Sequence, residues 1–378
     1  MLMIRRTAAA VVAAAALTGS GLAMATPAFA HPPGSFIGQF SKIKNVRSTV
    51  PGNGDVNPYG VAVVRHSQGR LVRGDVLISN FNNKANEQGT GSTIVEISPG
   101  GHLTVFAHIT RAKLTGPCPG GVGLTTALDI LPGGWVVVGS TPSKNGMAAT
   151  SKAGCLIVLD NQGRVRETIS GHGINGPWDM TALSFGDQFA ELFVTNVLNG
   201  TVKANGAVVH RGTVLRLIVR LSEDRAPRLL AVTKIGSGFS ERTDPNAFVI
   251  GPTGLGLGRD GTLYVADTGK NRITGIRHAV TRFSSAGTGF ELTSGGMLNG
   301  PLGLAITPNG NVLTVNGDDG FIVETSPRGS QVASFLLDSS VTPGSPPGAG
   351  ALFGLAVAPN GRGVYFVDDA TNFLRLLH

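Results

Sequence analysis

The sequence is poor in the patterns that mark several common protein classes. Only 14% of its 378 residues are charged. Beyond the N-terminus it has no run of about 18 apolar residues, the length that a transmembrane helix needs, and no long stretch with helical periodicity. Its 41% hydrophobic content and 55 glycines differ from the composition of disordered chains, which combine low hydrophobicity with high net charge. We therefore expect a folded protein built mainly from strands, with no membrane span.

Familiar catalytic and cofactor motifs are missing as well. No serine lies in a G-x-S-x-G elbow, no glycine-rich loop ends in G-K-[ST], and the histidines do not have the spacing of metal ligands. The formal charge of +8 is scattered, without a Lys/Arg block or basic residues interleaved with aromatic ones. These absences argue against an elbow-type serine hydrolase, a P-loop enzyme and a nucleic-acid-binding protein.

The first 30 residues have the organisation of a secretory signal peptide. Arg5-Arg6 give a positive start, residues 7–17 are an almost unbroken run of small apolar residues, and Ala28-Phe29-Ala30 matches an A-x-A cleavage site. We predict cleavage near Ala30 and a mature chain of residues 31–378. That chain would be secreted, periplasmic or associated with the cell wall.

The two cysteines, Cys118 and Cys155, are interpreted in that setting. An exported protein meets an oxidising compartment, so a structural disulfide is the expected state. Two free buried thiols are the alternative. A metal site would need more ligands than this pair offers.

A repeated pattern of short strands organises the rest of the chain. Its clearest copy is IGPTGLGLGRDGTLYVADTGKNRI, residues 250–273, in which two apolar runs flank the tight turn Arg259-Asp260-Gly261. Aligning the chain on the first glycines of this copy gives six units. The units begin near residues 58, 125, 177, 250, 301 and 352. The first five units also contain a third and a fourth strand, which is the organisation of a propeller blade.

The two ends of the chain are predicted to meet in one blade. The sixth unit ends after its third strand, residues 373–377, and the segment Phe36–Ile43 (FIGQFSKI) has no unit of its own. Pairing this segment with the sixth unit would remove an open sheet edge. We therefore predict an all-β fold, a six-bladed β-propeller of four-stranded antiparallel blades in which an N-terminal strand completes the last blade. Seven blades are the alternative.

The best copy of the repeat also resembles a known family. GPTGLGLGRDGTLYVADTGKNRI is similar to an NHL repeat, and GPLGLAITPNGNVLTVN and LFGLAVAPNGRGVYFVDD are similar to it more loosely. The resemblance covers the second half of the chain well and the first half by spacing. It implies a β-propeller, a fold that serves ligand-binding sensors, lyases and structural modules alike.

Two other propeller families are loosely similar. Gluconolactonase-like propellers bind a metal in the channel through a glutamate, asparagines and an aspartate, but Asn57-Pro58 stands where their first unit has E-G-P. Virginiamycin-lyase-like propellers share the G-P-x-G and D-G turns, whereas the strand motif here is L-Y-V-A-D rather than L-W-F-T-E.

One mouth of the propeller channel is predicted to bind a ligand. The loop that enters each innermost strand and the turn after each second strand lie on the same face, so their side chains gather at this mouth. Trp178 and Asp179 stand where other units have Gly or Ala, and the indole could stack on a sugar or a cation. Alternatively, Trp178 plugs the channel. The predicted ligand-binding residues are Tyr59, Trp178, Asp179 and Asn196.

Carboxylates and amides in the same turns form a candidate metal site. The predicted ligands are Asp267, Asn316, Asp318 and Asp368, which follow the second strands of units four to six. Oxygen ligands of this kind suit Ca²⁺. The alternative is that they cap tight turns through nearby backbone N–H groups, with Asp267 paired to Asn271 or Arg272 in its own turn.

The sequence thus supports two classes of function. The first is a monomeric binding module that takes a small molecule, a glycan or a protein at the channel mouth. The second is a metal-dependent lactonase-like hydrolase or lyase at the same mouth, where a cation would polarise a carbonyl or activate water. Whether the protein is an enzyme stays open at this stage.

Overall fold

The computed structural model describes residues 34–341 and 343–378, and these form six antiparallel sheets arranged as blades. The first strand is β1 (Ile43–Ser48). Blade one consists of β2 (Val56–Val63), β3 (Val76–Asn82), β4 (Thr93–Ile97) and β5 (Leu103–His108). Blade two consists of β6 (Leu124–Leu131), β7 (Trp135–Ser140), β8 (Cys155–Leu159) and β9 (Val165–Ile169). Blade three has five strands, β10 (Gly176–Phe185), β11 (Phe189–Val197), β12 (Val209–Arg220), β13 (Arg228–Asp244) and β14 (Phe248–Ile250).

The second half of the chain repeats this plan. Blade four consists of β15 (Pro252–Leu257), β16 (Leu263–Asp267), β17 (Arg272–Ile276) and β18 (Phe290–Ser294). Blade five consists of β19 (Pro301–Ile306), β20 (Val312–Asn316), β21 (Phe321–Thr325) and β22 (Gln331–Leu336). Blade six consists of β23 (Leu352–Val357), β24 (Val364–Asp368), β25 (Phe373–Leu377) and β1. Within the residues that the structure describes, helical structure is confined to short turns. They are Ile37–Gln39, Arg111–Lys113, Pro132–Gly134, Ala148–Thr150, the α-helix Thr201–Ala204, and Thr268–Lys270.

The blades close into a ring around a central channel. The first strands of successive blades pack side by side, and β2 contacts both β6 and β23, so blade one lies between blades two and six. Apolar residues of facing blades fill the spaces between the sheets, as Leu77 of blade one and Val138 of blade two do. The predicted six-bladed β-propeller is confirmed.

The turn that identified the best repeat has the predicted chemistry. Asp260 Oδ1 accepts a hydrogen bond from the Thr262 N–H at 3.0 Å, and Gly261 has a φ of 77°. Glycine adopts this left-handed conformation without the steric cost that other residues meet. An aspartate followed by glycine therefore sets the hairpin between β15 and β16.

The closing strand is real, but its predicted position was wrong. The strand that pairs with β25 is β1, with Ile43 opposite Leu377, and not Phe36–Ile43. The segment FIGQF forms a short 3₁₀ turn instead, and its apolar side chains belong to the core that also contains residues of blades five and six. The apolar spacing of FIGQF fits a turn with one buried side. The alternation of apolar and polar residues is weak in β1, which is the charged outer strand of its sheet.

Glu324 of blade five anchors this N-terminal turn. Its fully buried carboxylate accepts hydrogen bonds from the Phe36 and Ile37 N–H groups at 2.8 and 2.9 Å, from Ser35 Oγ at 2.8 Å, and from Asn311 Nδ2 at 2.6 Å. All of these donors share one acceptor, the Glu324 carboxylate. Loss of the carboxylate therefore leaves buried N–H groups without an acceptor.

We expect Glu324→Gln to lower the free energy of unfolding by roughly 2–3 kcal/mol. The NH₂ group of glutamine is a donor, so it cannot accept the hydrogen bonds that one carboxylate oxygen accepts now. Urea unfolding checks this value, and limited proteolysis would show earlier cleavage near residue 36. Glu223→Gln, in an exposed loop, is the matched control. Equal stability of the two variants would contradict the anchoring role.

The predicted disulfide between Cys118 and Cys155 is present. Its S–S distance is 2.14 Å, and it joins the segment between blades one and two to the start of β8. Within the described residues, no helix is long and apolar enough to cross a membrane. The predicted signal peptide, residues 1–30, lies outside the described residues.

Candidate functional site

The end of the channel that was predicted as the mouth is filled by aromatic rings. We call this group the aromatic plug, and its rings belong to Tyr59, Phe81, Trp178, Phe248 and Phe353. Tyr59 stacks on Phe353 and Phe81 with ring centroids 4.1 and 4.5 Å apart, and its edge contact with Trp178 is 5.9 Å. Tyr59 and Trp178 come from blades one and three, which are not neighbours, so their contact crosses the channel.

The plug changes the role of two predicted ligand-binding residues. Tyr59 and Trp178 are only 2% and 4% exposed, and Phe248 closes over Trp178 in a parallel stack at 6.2 Å. Burial also raises the pKa of the Tyr59 hydroxyl above its usual range. The arrangement matches the alternative in which Trp178 plugs the channel.

Asn196, a third predicted binding residue, fastens a turn. Its Oδ1 accepts the N–H groups of Asn175 and Gly176 at 2.7 and 3.1 Å, and its Nδ2 donates to Thr213 Oγ1 at 3.0 Å. The side chain is fully buried. These bonds hold the entry to β10 against β12.

Two of the predicted metal ligands are paired with arginines of their own blades. Asp267 Oδ2 lies 2.8 Å from Arg272 Nε, as the turn-pairing alternative expects, and Asp368 Oδ2 lies 2.8 Å from Arg375 Nη1. Burial raises the pKa of both carboxyls, to about 6 for Asp368, and the arginines oppose this shift.

The other two predicted metal ligands lie in blade five and the turn that follows β20. Asn316 Nδ2 donates to the Met297 carbonyl and to Asp319 Oδ1, both at 2.9 Å. Burial and the neighbouring Asp319 raise the pKa of Asp318. Among residues 34–341 and 343–378, no three His, Cys, Asp or Glu side chains are grouped closely enough to hold a metal ion. The Ca²⁺ site stays a prediction.

A cavity of about 540 Å³ occupies the opposite part of the channel. The innermost strands run parallel around the ring. Their early residues contribute Tyr59, Trp178 and Phe353 to the plug, so their later residues line this cavity. The lining includes 61–63 of β2, 179–183 of β10, 255–257 of β15 and 354–357 of β23. Each innermost strand is bonded to its own sheet on one side only. Its free backbone edge faces the neighbouring innermost strands and the channel, which makes the wall polar.

Two carboxylates project from this wall, Asp129 of β6 and Asp179 of β10. Asp179 accepts the N–H groups of Met180 at 2.8 Å and of Leu255, in the next blade, at 3.1 Å. Asp129 accepts the N–H groups of Ile130 at 2.8 Å and of Ala182, also in the next blade, at 2.9 Å. Each carboxylate is therefore fixed by two backbone donors and bridges adjacent blades.

The other blades have small residues at the position of Asp179. The strand registers align it with Gly60, Ala127, Gly254, Gly303 and Gly354. A Cβ on Gly303 would lie 2.0 Å from the Phe353 carbonyl oxygen, so blade five has no space for a side chain there. Blade three places a carboxylate, 7% exposed, at a position where the other blades have only glycine or alanine.

Asp129 was missed by the sequence analysis. It aligns with Ala62, Thr181, Gly256, Ala305 and Ala356, so it is the charged member of an otherwise neutral ring. That contrast was present in the aligned repeats and could have identified it. Asp179 was predicted, but at the plugged end of the channel.

The environment separates the pKa values of the two carboxyls. Burial raises the pKa of Asp179 to about 8, and the charge of Asp129 adds to this effect, while its two backbone hydrogen bonds oppose it. Burial raises the pKa of Asp129 to about 6, opposed by its backbone hydrogen bonds and by Arg65. At pH 7 Asp179 is therefore largely protonated and Asp129 largely ionised. Such perturbed groups inside a cavity are typical of functional sites.

Two arginines line the far end of the cavity, Arg65 after β2 and Arg259 after β15. Both are exposed, and neither forms an ion pair with another residue in the described part of the chain. The cavity therefore has carboxylates at depth and guanidinium groups at its rim.

Sequence searches found no matching family model and no matching curated protein. Structural comparison found a gluconolactonase from Xanthomonas campestris, with a TM-score of 0.52 and 14% identity over 89% of this chain and 88% of that one. A luciferin-regenerating enzyme has a TM-score of 0.52 and 12% identity, covering 89% and 95%. Regucalcin from Agrobacterium tumefaciens, described as a calcium-binding protein, has a TM-score of 0.50 and 14% identity, covering 88% and 94%. At these identities the likeness is one of fold, and the predicted similarity to gluconolactonase-like propellers is confirmed at that level.

Proposed function

We propose that the protein is a binding module for a small polar molecule, and that the ligand occupies the channel cavity opposite the aromatic plug. The observation that carries this proposal is the pair Asp129 and Asp179, held by backbone N–H groups at positions where the repeat has small residues. Burying a charged carboxylate is unfavourable unless it is hydrogen-bonded and paired, and within the described residues neither of these two has an ion-pair partner. The proposed site lies at the other end of the channel from the mouth that the sequence favoured.

The chemistry of the wall favours a ligand rich in hydrogen-bond donors. Each oxygen of the two carboxylates accepts one backbone N–H, and an ionised carboxylate oxygen can accept a second donor. An amine or hydroxyl group could supply it. The volume of about 540 Å³ lies in the usual range for small-molecule sites and is too small for a folded protein.

Acid–base chemistry on the bound molecule is a second candidate. One observation favours it, the separation of the pKa values of Asp129 and Asp179 to about 6 and about 8. A protonated and an ionised carboxyl in one cavity could act as general acid and general base. The metal-dependent hydrolase or lyase remains an alternative on the fold likeness, but the arginine partners of Asp267 and Asp368 give it no added support.

Trp178 provides a reporter for ligand binding. It precedes Asp179 in the chain and belongs to the plug that ends the channel, and the only other tryptophan in the sequence is Trp135. In a Trp135→Phe background, we would titrate small amines, polyols and amino acids while following Trp178 fluorescence. We expect binders whose affinity falls at least about tenfold in Asp129→Asn and Asp179→Asn, since each loses an acceptor or a charge.

Asp224→Asn, on an exposed loop far from β6 and β10 in the sequence, is the control and should leave the affinity unchanged. If no compound binds in a manner that depends on Asp129 and Asp179, the proposed site is wrong. Conversion of a bound compound, followed by NMR at pH 7, would separate the enzyme from the binding module.

A further inference from the structure

We propose that the ligand is a zwitterion, a small molecule with an amine at one end and a carboxylate at the other. The amine would lie between Asp129 and Asp179, and the carboxylate would meet Arg65 and Arg259 at the rim. This inference rests on the proposed function and names the ligand class of the same site. It follows from the order of charges along the channel.

The two arginines occupy equivalent positions in opposite blades. Arg65 lies four residues after Val61, and Arg259 four residues after Leu255, and the strand registers align Val61 with Leu255. Blades one and four face each other across a six-membered ring. The remaining blades have Pro132, Ser184, Pro308 and Pro359 at this point. The repeat therefore supplies two cations at the rim, on opposite sides of the opening.

Nothing in the described chain neutralises these two arginines. Neither has a carboxylate oxygen within 4 Å. Arg65 is close enough to Asp129 to lower the pKa of that carboxyl, but the two do not form a contact pair. Guanidinium groups bind carboxylates through paired N–H donors, so a ligand carboxylate is a suitable partner.

The spacing of the charged rings limits the length of the ligand. In the aligned strands, the arginine level lies three residues beyond the level of Asp129, which is about 10 Å at 3.3 Å per residue. Arginine side chains are long enough to shorten this distance by several ångströms. A flexible molecule with charges about 5–10 Å apart would therefore reach both ends.

Singly charged ligands fit the channel less well. A cation without a carboxylate would pair with Asp129 and Asp179. The two arginines at the rim would repel it. An anion would be attracted by the rim and then repelled by ionised Asp129. Discrimination of this kind comes from repulsion as much as from attraction.

A matched set of three probes tests the inference in the Trp135→Phe protein at pH 7. The probes are 6-aminohexanoate, hexylamine and hexanoate, which share a chain and differ in their charged ends. We expect 6-aminohexanoate to bind at least about tenfold more tightly than either other probe, and its 4- to 8-carbon homologues to show an optimum length.

Variants separate the two ends of the ligand. In the double variant Arg65→Gln/Arg259→Gln, the affinity for 6-aminohexanoate should fall to that for hexylamine, while hexylamine binds as well as before or better. Arg328→Gln, in an exposed turn of blade five, is the control. Asp129→Asn/Asp179→Asn should abolish binding of both amines.

The outcomes distinguish the inference from the proposed function. If hexylamine equals 6-aminohexanoate and the rim variants change nothing, or if only an uncharged member of the wider panel binds through Asp129 and Asp179, the zwitterion is wrong and the channel site stands. If none of the probes or panel compounds depends on Asp129 and Asp179, both fail.

Discussion

Asp179→Asn is expected to remove the largest single contribution to the fall in stability that carboxyls with raised pKa values cause between pH 5 and pH 9. In the unfolded chain this aspartate ionises near pH 4, whereas burial raises its pKa in the folded protein to about 8. The unfolded state therefore loses its proton first as the pH rises, and the free energy of unfolding decreases until the pH passes about 8. An asparagine has no proton to lose, so it escapes this penalty.

The size of the effect follows from the shift. Each pKa unit corresponds to about 1.4 kcal/mol, so the penalty that accumulates from pH 5 to pH 9 is on the order of 4 kcal/mol. At pH 5 the variant should be slightly less stable than the native protein, because one backbone N–H loses its acceptor. At pH 9 it should be the more stable of the two.

Urea unfolding at both pH values measures the difference. Asp260→Asn is the control, since its carboxyl is in an exposed turn where hydrogen bonds to Thr262 lower the pKa, and its contribution is already complete at pH 5. A pH dependence that is the same in Asp179→Asn and in the native protein would show that the carboxyl is not protonated in the folded state.

The blades could be predicted because their turns have a local cause. The sequence Asp260-Gly261 determines a hairpin through two hydrogen bonds to the aspartate side chain and one left-handed residue, and similar turns recur along the chain. The closing strand was harder. FIGQF is more apolar than IKNVRS, so it looked more like a strand, but its apolarity serves the contact with the core next to Glu324.

The candidate site could be predicted only in part, because two consecutive residues of one strand can lie in different environments. Trp178 and Asp179 were both identified as unusual, yet the indole enters the plug and the carboxylate lines the cavity. The plug also needs Phe81 and Phe248, which come from the second strand of blade one and from the fifth strand of blade three. No local pattern indicates that these two rings meet above the channel.

Asp267 and Asp368 end the second strands of blades four and six, and each forms an ion pair with an arginine. The sequence predicted the arginine partner of Asp267 but not that of Asp368. Arg272 is the register partner of Asp267, and the turn-pairing alternative named it. Arg375 pairs with Asp368 from two residues beyond its register partner, and it also contacts Asp338 at 3.2 Å. The sequence separation between aspartate and arginine differs between the two blades, so such pairs cannot be identified before the strand pairing is known.

Loss of the disulfide is the second change with a large expected effect. Cys118 and Cys155 are 37 residues apart, so the bridge closes a long loop and restricts the unfolded chain. Both cysteines are buried in the folded protein. Closing a loop of this length corresponds to about 4 kcal/mol in the chain-entropy description. We therefore expect the Cys118→Ala/Cys155→Ala variant, or the native protein in reductant, to unfold at a markedly lower urea concentration.

Three measurements separate the bridge from simple packing. The single variant Cys118→Ala should lose nearly as much stability as the double variant, because either change breaks the bridge. Reductant should destabilise the native protein and leave the double variant unaffected. If thiol labelling of the unfolded, unreduced protein instead finds two free cysteines, the bridge does not form, and each alanine should then cost only its own packing, which is larger for fully buried Cys155 in the core between blades one and two.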